Sequence, residues 1–119
     1  MTQYIGGVLQ GSGAAPAEVV ETNATTGTID NLAIGATTTI LRFSGTVSLS
    51  GIVAAAARVL VLEVVDGGSL TWEHEGLGST DAYRLDGLGT ASLAMGTRGG
   101  AVVAYDPTSQ RWRCVGKSV

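Results

Sequence analysis

"RVLVLEVVDGGSLTWEHEG", residues 58–76, decides the fold. Its first half alternates with period two, the repeat of a strand whose successive side chains point to opposite faces. Leu60, Leu62 and Val64 fall on one face and Val59, Val61 and Val65 on the other, so both faces are apolar. Such a strand is central in a packed sandwich or lies beneath a subunit interface. Asp66-Gly67 reads as a hairpin turn, because glycine adopts the positive φ that a tight turn needs. The second half then sets Leu70, Trp72 and His74 on one face and Thr71, Glu73 and Glu75 on the other.

The same pattern extends outward. Ile29, Leu32 and Ile34 precede a Thr-rich strand in which Leu41 and Phe43 oppose Ile40 and Arg42. Val47 and Leu49 oppose Ser48 and Ser50. "TASLAMG" and "GAVVAYD" are joined by "TRGG", and a closing hairpin turns at Asp106-Pro107 into "RWRCV". Residues 52–58, "IVAAAAR", allow at most one helical turn or a tight loop, because a strand starts directly after them. No repeat of useful length is evident. Short strands punctuated by Gly and Asp every 8–12 residues or so predict an all-β domain, a β-sandwich of jelly-roll-like type, over residues 18–119. Residues 1–17 read as an extended N-terminal arm, rich in glycine and without sustained periodicity. Tyr4, Ile5, Val8 and Leu9 make it either a disordered tail or a partner-binding arm that orders on contact.

Composition bounds the function. Charged residues make up 14% of the 119, against roughly a quarter in soluble domains, and lysine occurs once. Too few charges exist to coat a small monomer, which predicts burial against other subunits. The net charge of −3 and scattered arginines argue against a nucleic-acid partner. No apolar run reaches membrane-spanning length, and residues 1–13 lack the features of a secretory signal. The lone Cys114 excludes an internal disulfide and reads as a small core side chain, in keeping with folding in a reducing cytoplasm.

Catalytic chemistry finds little support. In a strand His74 points away from Glu73 and Glu75, and metal binding would need ligands beyond this one His and one Cys. Glu75 is expected to pair with an arginine, of which Arg84 in the next loop is nearest. Asp81 and Asp86 match no calcium loop, and no nucleophile elbow is present. Trp72, Trp112, Tyr83 and Tyr105 offer either a sugar-binding shelf or core packing, and alternation with polar residues favours the core. No enzyme activity, metal or cofactor is expected.

Phe43 in "LRFSGTVSLSGI", the stretch quoted at the outset, Arg84-Leu85 in "DAYRLDG", and "VAYD" turning into Arg111-Trp112 together resemble a pattern of small tailed-bacteriophage virion proteins and tail-fibre modules. The chain departs from it in "VAAAARV" (53–59), where relatives carry glycines, and at Tyr83-Arg84. The resemblance implies a homotrimer on the particle exterior. It also implies structural roles for Phe43, Trp72, His74, Glu75, Arg84, Tyr105 and Trp112. A capsid decoration (cement) protein is the leading expectation, bound to the major capsid protein through the arm and assembled in the host cytoplasm. A start at Met1, one domain and no repetitive shaft favour that reading. The alternative is a tail-fibre receptor-binding tip that recognises host glycans.

Overall fold

The computed structural model of the chain describes residues 19–86 and 91–118, and among these nearly all regular structure is β, in two sheets. The chain passes repeatedly from one sheet to the other. β1 (Val19–Asn23) of the larger sheet leads into β2 (Gly27–Ile29) of the smaller. β3 (Thr38–Phe43) and β4 (Thr46–Leu49) repeat the step, and so do β5 (Arg58–Val64) and β6 (Ser69–Trp72). Each strand lies parallel to its counterpart in the preceding turn, so β1, β3 and β5 adjoin in one sheet and β2, β4 and β6 in the other. The result is a stack of parallel coils. A third side is stitched by Leu32 and Ile52, where the Leu32 N–H donates to Gly51 O and the Val53 N–H to Leu32 O.

A different chain path closes the stack. After a 3-10 turn at Asp81–Tyr83, β7 (Leu85–Asp86) pairs with the last strand. β8 (Leu93–Met95) and β9 (Gly100–Asp106) run antiparallel on β6 and β5, like a coil laid down in reverse. β10 (Arg111–Ser118) then completes the expected closing hairpin with β9. Its turn is held by Asp106, whose carboxylate accepts the Thr108 N–H at 2.8 Å. That bond keeps the Asp106 carboxyl below its usual pKa.

The expectation of an all-β protein with two sheets holds. The jelly-roll-like pairing does not, because a jelly roll is antiparallel and these coils stack in parallel. Asp66-Gly67 is likewise a corner between sheets and not a hairpin, since β5 and β6 do not pair. Gly67 does take the positive φ (89°) its position demands. The backbone of this corner bonds to the corner before it, Val65 N–H to Phe43 O and Ser69 N–H to Gly45 O. The corners stack so closely that a Cβ on Gly45 would sit 2.2 Å from Thr25 O. Arg98, in the turn before β9, adds an exposed ion pair to Asp66.

A repeat therefore exists where none was evident in sequence. Its content is inward apolar stacking and not residue identity: Leu41 on Leu62, Phe43 on Val64, Val47 on Leu70, Leu49 on Trp72. All eight are buried. One coil cannot bury its own inner face, so stability accrues only as neighbours stack. Residues 53–57 form a loop without helix. Ser50, expected outside with Ser48, is instead 1% exposed at a corner. There its hydroxyl bonds Asp30 Oδ1 (2.5 Å) and Ser79 Oγ (2.6 Å), which satisfies a polar group that would otherwise be costly to bury.

Candidate interaction surface

The alternation of the larger sheet leaves one row of side chains pointing away from the core. Val20 lies beside Ile40, Ile40 beside Val61, and Val61 beside Val102, an apolar row crossing four strands. The next row sets Val59 beside Ala104 and Ala104 beside Arg113. Val59 is 61% exposed, Val20 44% and Val61 37%. An outward sheet face in contact with water normally carries polar side chains. Here the inner face of β5 is fully committed to the core through Leu60, Leu62 and Val64, and the outer face is also apolar. Contiguous exposed apolar surface of this kind marks interaction sites.

Charges border the patch and do not interrupt it. The Arg42 Nε bonds Glu63 Oε1 at 2.6 Å on one side, and Arg113 faces Asp86 at 3.8 Å on the other. Arg58 falls on the inward side of β5 with Leu60, beside Tyr105, and bonds the carbonyls of Gly35 and Thr38, both at 2.6 Å, so its charge lies off the apolar rows. An open groove of about 400 Å³ lies at the end of the first row, between Val61, Glu63, Arg98, Val102 and Lys117. Gly100 and Gly116 line it without a side chain to fill it.

A second cluster sits at the closed end. Trp112 and Trp72 are both 0% exposed, with ring centroids 6.1 Å apart, and Tyr105 lies 5.4 Å from Trp112. The Trp112 indole N–H donates to Ile52 O at 2.9 Å, and the Tyr105 hydroxyl to Ala82 O at 2.7 Å. Burial pushes the Tyr105 phenol pKa up. These rings are core, as their alternation predicts, and the buried tryptophans cannot serve as a shelf for sugars. Phe43 is equally buried.

Glu75 pairs with Arg111 and not with Arg84. Arg111 donates through Nε and Nη2 to both Glu75 oxygens (2.6 and 2.8 Å), through Nη2 to Asp81 Oδ1 (2.9 Å) and through Nη1 to Asp81 O (2.6 Å). Arg84 bonds Ser79 O and reaches Asp81 at 3.4 Å. Arg111 stands directly before Trp112, so seating that ring in the core delivers the guanidinium to the loop above. Nothing local in the sequence links residues 75 and 111. Glu75 itself adopts a positive φ of 50°, leaving the strand so that its side chain does not follow the predicted alternation.

The Arg111 guanidinium holds the Glu75 carboxyl below the usual glutamate range, and the Arg111 pKa is raised in turn. A carboxyl with a lowered folded-state pKa stabilises the protein above its unfolded value, and that contribution is lost as pH falls through the folded value. An Arg111→Met variant is expected to be about 1–2 kcal/mol less stable at neutral pH, since the carboxylates keep partial contact with water. Thermal melts should show the gap between parent and variant closing below about pH 4. A gap unchanged down to pH 3 would contradict the assigned pairing.

Tyr4, Ile5, Val8 and Leu9 lie outside the described residues. His74 is half-buried, and its backbone N–H donates to Ser92 Oγ. Cys114 packs partly buried against the core. Among the described residues no three His, Cys, Asp or Glu side chains gather as metal ligands. No known protein family, curated protein or solved structure matches this chain.

Proposed function

We propose that this chain is a structural protein of a virus particle's exterior, a homotrimeric decoration protein that attaches to the major capsid protein of a phage head. The observation that carries the proposal is the row Val20, Ile40, Val61 and Val102, flanked by Val59, on a sheet whose other face already forms the core. Such a face is stabilised by covering it with protein, at roughly 25 cal/mol per Å² of apolar area removed from water. Closed assembly of identical copies covers it without open-ended growth. The threefold order and the phage setting come from the sequence resemblance. Few charges, and one core running from the coil interior to the aromatic end, are in keeping with a structural part.

A fibre-tip reading is supported by one observation of its own. Stacked parallel coils are an architecture that extends along an axis, and β7 to β10 terminate it at one end. In that case host contact would fall to exposed loop residues such as Leu77, 84% exposed, and not to the buried tryptophans.

Immunogold labelling of intact particles with antibodies to this chain separates the readings. Label spread over heads is the expected result. Label confined to fibre ends would move the protein to the second reading, and particles without label would overturn both.

A further inference from the structure

Among the described residues, the coil stack finishes at its β1–β2 end in two edge strands. Elsewhere in the stack the inward positions of the larger sheet are apolar, Leu41 followed by Leu62 and Phe43 by Val64. On β1 the residues in those positions are Glu21, beside Leu41, and Asn23, beside Phe43. Both are half-buried, while Val20 and Thr22 on the opposite side are exposed. Glu21 Oε1 accepts the Gly35 N–H at 2.9 Å and the Thr38 hydroxyl at 2.8 Å, which holds the carboxylate across the end of the coil. Asn23 Oδ1 accepts the Thr25 N–H at 2.9 Å. Ile29 on β2, beside Leu49 of β4, is only partly buried.

An unprotected edge strand is a template for another chain, and natural sheets blunt it with proline, lysine, bulges or inward-pointing charge. β1 carries neither proline nor lysine. It has a register shift at Val19/Val20 and a single charged residue, Glu21, on the inward side. A second coil laid on β1 would strip water from that carboxylate, and an unpaired buried charge is strongly unfavourable.

We propose that Glu21, supported by Asn23, is a stop that keeps the β1–β2 end of one copy from stacking onto the β1–β2 end of a second copy. The stop is separate from the outer sheet face and does not depend on the function proposed above.

The test uses the full chain with Glu21→Leu and Asn23→Val together, followed by sedimentation over a range of concentrations. A shift from the parent's mass to twice that mass, favoured by concentration and elongated by electron microscopy, is expected, because a contact between two identical ends closes at two copies. A variant with the parent's circular dichroism and the parent's mass at every concentration would overturn the proposal. If the double variant does not fold, Glu21→Gln decides. It keeps the acceptor oxygen without the charge and is expected to give the doubled species at higher concentration, whereas a folded protein of the parent's mass throughout sinks the idea. Repeating the measurement with Val59→Glu and Val61→Glu added distinguishes the two surfaces. A doubling that persists supports the stop. A doubling that vanishes assigns the association to the outer face and overturns the stop alone.

Discussion

A Val59→Glu, Val61→Glu double variant is expected to fold as the parent does and to lose self-association. Both side chains point away from the core, and Val59 is 61% exposed, so neither substitution opens a cavity. The cost to the fold is limited to strand preference, below about 1 kcal/mol per site. At an interface the same carboxylates would be desolvated, and the nearest arginines, Arg42 and Arg113, are already engaged by Glu63 and Asp86. An unpaired charge of this kind costs several kcal/mol, which corresponds to at least about a hundredfold weaker association. Sedimentation equilibrium of parent and variant, with circular dichroism as the control for folding, reads this directly. A variant that assembles with the parent's affinity would remove the outer face from any account of function.

Trp112→Ala is expected to cost about 3–5 kcal/mol, the usual range for truncating a fully buried tryptophan. That is a large share of the 5–15 kcal/mol or so by which domains are stable. Trp112 touches Trp72 and Tyr105, and its indole N–H is the partner of Ile52 O, so its loss unpins the closed end from the third side of the stack. Melting should fall by roughly 10–20 °C. Trp112→Phe retains most of the ring contact but orphans the Ile52 carbonyl, and a smaller loss of about 1–2 kcal/mol is expected. If Trp112→Ala melted with the parent, the ring would not be part of the core.

Strand positions were legible because period-two alternation is a local property of extended backbone, visible wherever Leu60, Leu62 and Val64 oppose Val59 and Val61. The burial of Trp72 and Trp112 followed from the same rule. Alternation failed where the chain leaves its strands, at Ser50, which turns into a corner, and at Glu75, whose positive φ redirects its side chain. The Arg84 expectation rested on nearness in sequence, whereas Glu75 found Arg111 through the packing of Trp112.

By itself the sequence determined which residues extend, which face most side chains within the strands take, and that one strand is apolar on both. Only the tertiary structure decided which strands are neighbours, that Asp66-Gly67 turns a corner between sheets, and that the inward row ends at Glu21. The reason is physical. Alternation is set within each residue's own backbone, but pairing depends on which edge still has free N–H and C=O groups when the chain returns. That is a property of the whole stack, shared among residues far apart in the chain.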